Sequence, residues 1–293
     1  MAVLFAYKKP MNRHTIARDA SASGICLHAG SVVTMTLSPA PPGQGVVFVR
    51  ADLEGVRIPA RYDLVGETKL GTVLQKDGAS VGVVEHLMAA VAGAGLDDLT
   101  VTLDGPEPPI LDGDALSYLT LIQQAGLKDQ NTPRDVIEVL KPVRVTQKNA
   151  TASLMPADAS TYDFEIEFPA PAIGRQVFHL DFSPANFAAA IAPARTFGFL
   201  KELEGLRALN LARGASLENT LALDECGVVN AGLMRFPDEF VRHKILDAIG
   251  DMALAGSPLK ARFHGVRSGH ATNNALLRAL FSDPTAFRRI TLS

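Results

Sequence analysis

Two stretches in opposite halves of the chain follow one plan: a helix with a histidine near its start, a glycine stop, then a strand. From Gly82 to Ala94 the residues Val83, Val84, Leu87, Met88 and Val91 recur at helical spacing, Gly93 and Gly95 end the run, and Leu99–Leu103 reads as a strand. From Asp238 to Ala255 the spacing is again helical, Gly256 ends it, and a strand is expected over Leu259–Gly265. Val84-Glu85-His86-Leu87-Met88 in the first stretch stands beside Val241-Arg242-His243-Lys244-Ile245 in the second, with histidine at the same early position of each. A chain of 293 residues is long enough for two cores. The layout predicts an α+β protein of two similar domains, each a β-sheet with helices, related by duplication.

Alternation at Val32–Leu37 and Val46–Val49, with the turn cluster Pro39-Ala40-Pro41-Pro42-Gly43 between them, predicts a hairpin or meander. A short helix is expected over Ala115–Leu119, with Asp114 capping its first amides. The polar run Lys128–Asp135 reads as a linker, placing a boundary near residue 133 and domains at 1–133 and 134–293. Strands then resume at Val136–Val145 and Tyr162–Phe168. Lys201–Glu225 has no counterpart in the first half and reads as an insertion, the kind of segment that carries specificity.

Composition narrows the function. With 28 basic and 31 acidic residues, the net charge of -3 supplies no global field for nucleic acid or an anionic membrane. Cys26 and Cys226 are too few and too far apart for a disulfide framework or a thiolate metal knuckle, which fits a reducing compartment. The opening Met1–Ala6 run is too short for a signal segment, and nothing approaches ~18 uninterrupted apolar residues. A soluble, cytoplasmic protein without a transmembrane segment is expected.

His243, Asp247 and Asp251 lie at i, i+4 and i+8, a stripe drifting only ~80° around the helix. Histidine and carboxylate one turn apart can share a metal ion, although an amphipathic helix with a solvated His/Asp face has the same spacing. Glu85-His86 adds a third ligand beside a carboxylate. A zinc ion with three N/O ligands keeps a fourth position for water, acidified towards ~7, and Glu85 is suited to take its proton. Singly, Glu85 also reads as a helix-dipole partner and His86 as a core residue. In Ser268-Gly269-His270-Ala271-Thr272-Asn273-Asn274, His270 falls on an expected loop and is a candidate general acid, with Asp251 placed to hold its imidazole and raise its pKa.

Together Val84-Glu85-His86-Leu87, Ala194-Arg195-Thr196-Phe197-Gly198-Phe199, Phe240 to Asp251 and Ser268-Gly269-His270 resemble the UDP-3-O-acyl-N-acetylglucosamine deacetylase family of lipid A synthesis in Gram-negative bacteria. Gly24-Ile25-Cys26-Leu27-His28-Ala29-Gly30 and Pro106 to Gly113 match as well, so the likeness runs through nearly the whole chain; His28 receives no role from it. Many relatives carry Ser where this chain has Asp114, an exchange between two helix caps.

The resemblance implies helical layers packed between two sheets, with zinc at the domain junction on His86, His243 and Asp247. It implies Glu85 as general base, and His270, supported by Asp251, as acid or electrostatic stabiliser. It adds Thr196 as a donor to the oxyanion, and Phe197 and Lys244 as contacts to the sugar and nucleotide. The insert would form an apolar passage for the 3-O-acyl chain, to which Leu209, Leu211, Leu217, Leu221 and Leu223 lend character. Which of Glu85 and His270 protonates the leaving amine stays open. A zinc amidase for another acylated substrate and a non-catalytic metal protein are the rival readings. The amphiphilic product allows transient contact with a membrane surface.

Overall fold

Large apolar side chains alternating with small polar ones build two five-stranded sheets of the same topology. The computed structural model describes residues 12–292, so the Met1–Ala6 run lies outside the described residues. The first sheet has the order Ala20–Ile25, Val32–Pro39, Leu99–Leu103, Val46–Arg50, Val56–Pro59. The second has the order Val143–Gln147, Ala150–Met155, Arg262–Val266, Thr161–Glu167, Arg175–Asp181. In both, the central strand arrives late in sequence. In each order it pairs antiparallel with the second strand and parallel with the fourth, a parallel pairing that needs a long crossover. The shared order supports the duplication far more strongly than the one short sequence match.

The same pairing corrects the expected hairpin. Val32–Pro39 and Val46–Arg50 do not touch as partners, because Leu99–Leu103 lies between them. Buried Val101 stands opposite Leu37 on one side and Phe48 on the other; in the second sheet buried Phe263 stands between Leu154 and Tyr162. Each central strand thus fills the middle of its own core, and burial of each such side chain contributes roughly 1.5–3 kcal/mol.

Among the described residues six α-helices accompany the sheets: α1 (Glu85–Ala94), α2 (Leu116–Ala125), α3 (Pro184–Ala190), α4 (Leu200–Ala208), α5 (Glu239–Ala253) and α6 (His270–Ser282). The α2 helix rests on the first sheet, α5 and α6 on the second, and α1 packs between α2 and α5, so the helical layers lie between the sheets. Gly95, at φ 74°, ends α1 in the left-handed conformation. Gly250 allows the central crossing: a Cβ there would stand 2.0 Å from the carbonyl oxygen of Glu85. The two helices therefore meet backbone to backbone at the first turn of α1, which places His86 and Glu85 over the middle of α5.

Several boundaries differ from expectation. His86 is the second residue of α1 and His243 the fifth of α5, so the two histidines are not equivalent in helical position. The polar run read as a linker is largely strand: Leu127–Pro133 pairs antiparallel with Asn12–Ile16, a pairing made by backbone groups that side-chain polarity does not reveal. Membership then changes, since Asp135–Val139 pairs with Leu259–Lys260 and Phe287–Thr291. The run Val136–Val145 breaks before Val143, where Pro142 has no amide to donate. The α2 helix runs on to Ala125, and Asp114 Oδ1 accepts from the amide of Ser117 at 3.1 Å, serving an early amide as expected. Cys26 is buried and Cys226 exposed, both free. No helix among the described residues is long and apolar enough to cross a membrane.

Candidate metal centre

A tight turn delivers the first candidate pair. Val83, at φ 53°, precedes α1 and is a β-branched residue held in the left-handed region, a strained conformation. It brings Glu85 and His86 into the first turn, both buried. On α5 the His243, Asp247 and Asp251 stripe faces this turn, and all three are at most 4 % exposed. The solvated-face reading of that stripe is thereby removed: α1 covers it.

His86 Nε2 and His243 Nε2 lie 3.6 Å and 3.4 Å from the same atom, Asp247 Oδ1. Asp247 Oδ1 is buried and accepts no hydrogen bond, a condition that costs about 1–3 kcal/mol unless something else meets the charge. Ligand atoms about 2.0–2.1 Å from a tetrahedral zinc stand roughly 3.4 Å apart, so the spacing around Asp247 Oδ1 fits such an ion. His243 Nδ1 donates to the carbonyl of Ala194 at 3.1 Å, leaving the Nε2 lone pair free. Burial lowers His243 to a pKa of about 3, which keeps it neutral and able to ligate. Against its burial, Asp247 is held well below the ordinary carboxylate range, chiefly by the neighbouring Lys244 ammonium. Three donor atoms of His86, His243 and Asp247 thus converge within 4.8 Å of one another, and the group fits a divalent cation.

A second cluster borders the first. Glu85 Oε1 lies 3.6 Å from His270 Nε2, and Glu85 Oε2 accepts from the amide of Thr72 at 3.0 Å. Burial pushes the Glu85 carboxyl above its ordinary value, against the opposing pull of His270 and His86. His270 opens α6 rather than sitting on a loop, and its Nδ1 lies 3.0 Å from Asp251 Oδ2. Burial alone would lower His270, but the carboxylates of Asp251 and Glu85 outweigh it and push the imidazole up to about 9. Asp251 is itself fixed by Asn273 Nδ2 at 2.8 Å and by the hydroxyl of Thr72 at 2.6 Å. Thr72 therefore holds both acidic groups from one residue. Nothing in its sequence surroundings marks it; Asn273 at least stood in the stretch singled out with His270.

The segment Ala194–Phe199 is anchored by a buried ion pair, Arg195 to Glu239 at the start of α5, with Glu239 also accepting from the Arg195 amide at 3.0 Å. Thr196 donates its amide to Gly113 at 2.8 Å, and its side chain lines the cavity beside the cluster. Phe197 packs edge-on against Phe240, with ring centroids 5.0 Å apart, and lies 6.1 Å from the ring of His243. Lys244 Nζ donates to Asp247 Oδ2 at 2.5 Å. The carboxylate outweighs burial and raises the pKa of the Lys244 ammonium.

The cavity holds about 670 Å³ and runs from this centre along the insert. Its apolar wall comes from Leu200, Leu203, Leu206 and Leu217 of the insert side and from Phe168 and Phe199. Of the leucines expected to give the passage its character, only Leu217 lines it. Leu221 and Leu223 are buried in a strand paired with Phe197–Phe199, and Leu209 is exposed. The helical spacing of α4 decides this: Leu203 and Leu206, three apart, share the face turned to the cavity.

A duplicated α+β fold whose helices close over a buried carboxylate, an imidazole paired with a second carboxylate and a His/His/Asp group that fits a metal ion has the make-up of a hydrolase of the metal-site type. Residues 13–282 match the family UDP-3-O-acyl N-acetylglycosamine deacetylase, and the chain belongs to it. A protein of Myxococcus xanthus (strain DK1622) named UDP-3-O-acyl-N-acetylglucosamine deacetylase is 49% identical over 94% of this chain and 88% of its own length. Relatives of the same name from Phenylobacterium zucineum (strain HLK1) and Anaeromyxobacter sp. (strain Fw109-5) are 45% and 44% identical, each covering at least 95% of this chain and 92% of their own.

Proposed function

We propose that this chain carries out the deacetylation for which its family is named, hydrolysing the acetamido group of UDP-3-O-acyl-N-acetylglucosamine to the free amine and acetate, with zinc held by His86, His243 and Asp247. The convergence of those three donors beside Glu85 supports the reading most directly. Bound there, zinc supplies Lewis acidity, acidifying water and polarising the acetamido carbonyl.

Glu85 takes the proton from the attacking water; its desolvated carboxylate is a stronger base than an exposed one. Thr196 donates its hydroxyl to the carbonyl oxygen as negative charge develops there. His270, cationic at neutral pH and oriented by Asp251, stabilises that charge and stands ready to protonate the departing nitrogen. Phe197 and Lys244 contact the sugar and nucleotide, and the leucine-lined part of the cavity takes the 3-O-acyl chain. The domain junction falls near residue 133, where strand membership changes from the first half to the second. Two free cysteines and the absence of a membrane-crossing helix among the described residues support a cytoplasmic location, with the membrane surface touched only transiently.

The test is metal content and deacetylase activity before and after chelation and zinc re-addition. One zinc per chain, with activity lost and restored in parallel, is expected. Zinc that binds without turnover of the acylated sugar nucleotide would overturn the substrate assignment.

A further inference from the structure

His28 joins two loops on the cavity wall, one from each half of the chain. Its Nδ1 accepts from the amide of Ala212 in the insert at 3.2 Å, so Nε2 carries the proton and donates to the carbonyl of Leu70 at 3.0 Å. Leu70 and Ala212 are both non-glycine residues in the left-handed region, at φ 62° and 53°, conformations that persist only where neighbours hold them. Two residues beyond Leu70, Thr72 binds Glu85 through its amide and Asp251 through its hydroxyl. Two residues before Leu217, Ala215 lines the cavity, as does Ala212. One imidazole thus stands between the cavity wall and the group that fixes the acidic pair.

The His28 backbone is rigidly seated. Its amide and that of Ala29 donate to the two oxygens of buried Glu107 at 2.9 Å and 3.0 Å. The insert runs beside it, with the Gly214 amide bonded to Leu27 O at 3.0 Å and the Arg213 amide to His28 O at 3.3 Å. At Gly30, φ 67°, a Cβ would lie 2.7 Å from Cβ of Arg213, so the loop and the insert pass too closely for a side chain.

We infer that His28 is a positioning residue that ties the acyl-passage wall to the Leu70–Thr72 loop, so that one strut sets both chain-length preference and the placement of Glu85. The inference rests on the reading of the cavity as an acyl passage. A wall held in advance needs no ordering when the chain enters, which favours a long chain over a short one.

The experiment compares zinc-loaded wild type, His28→Ala and His28→Gln; a glutamine amide keeps one donor and one acceptor. Amide hydrogen exchange is followed over residues 68–72 and 212–217, and kcat and KM are measured for sugar nucleotides bearing a long 3-O-acyl chain or only 3-O-acetyl. His28→Ala should loosen both segments together and reduce the long-over-short preference in kcat/KM about tenfold, the scale of one lost bridging group. His28→Gln should restore much of both. Loosening of one segment alone, or equal loss for the two substrates, would overturn the strut. Wild-type protein that turns over neither substrate would instead sink the proposed function, and the exchange data would still decide whether His28 couples the loops.

Discussion

His270 Nδ1 lies 3.0 Å from Asp251 Oδ2, and this pair joins the first turn of α6 to the last turns of α5 beneath the candidate metal group. Asp251 also accepts from Thr72 and Asn273, so its position is fixed by groups other than the imidazole. Those two further bonds make the pair a setting for the imidazolium charge rather than a mobile contact.

Its titration gives the first prediction. His270 is raised from 6.5 to about 9, so its proton stabilises the fold fully below 6.5, and that contribution is lost as pH rises through about 9. In metal-free protein the imidazole should titrate near 9 by NMR, and denaturant stability should decline across the same window. Asp251→Asn should lower that pKa and flatten the decline. A wild-type midpoint at the ordinary histidine value would refute the assignment.

Glu85→Ala should keep its zinc and its fold yet lose roughly 10²–10⁴ in kcat, with KM little changed, because the base acts mainly in the transition state. Steady-state kinetics with metal analysis checks it. Near-normal turnover would remove Glu85 from the chemistry.

Asp247→Ala should strip metal affinity and also destabilise the metal-free protein, by about 1–3 kcal/mol, since the half-buried Lys244 ammonium loses its charged hydrogen-bond partner. The double variant with Lys244→Met should recover part of that loss without recovering metal. Chemical denaturation separates the two effects; equal stability of single and double variants would contradict the pairing.

Two glycines in helices should respond in opposite directions to alanine. At Gly205 on α4 a Cβ meets nothing within 4 Å, and Gly205→Ala should stabilise by about 0.5–1 kcal/mol. At Gly250 a Cβ would strike the Glu85 carbonyl, and Gly250→Ala should destabilise by about 1–3 kcal/mol while reducing turnover by displacing Glu85. Thermal melts and kcat decide it, and a more stable, fully active Gly250→Ala protein would show that α1 and α5 do not pass as closely as described.

Local spacing by itself determined much of this protein. Helical periodicity located α1 and α5, two-residue alternation located Leu99–Leu103, and the i, i+4, i+8 interval already put His243, Asp247 and Asp251 on one face. Such patterns are legible because a helix or strand fixes the direction of each side chain from its own backbone. Whether that face meets water or another helix is a different matter, settled by the approach of Gly250 to the Glu85 carbonyl. Tertiary structure likewise set Leu99–Leu103 between two strands expected to be partners, made a strand of the polar run after Leu127, and brought Thr72 and His28 to the site through a hydroxyl and an imidazole bond. These contacts join residues far apart along the chain, some through backbone groups every residue carries and some through side chains whose partner no local pattern marks, so only the folded chain could decide which of them meet.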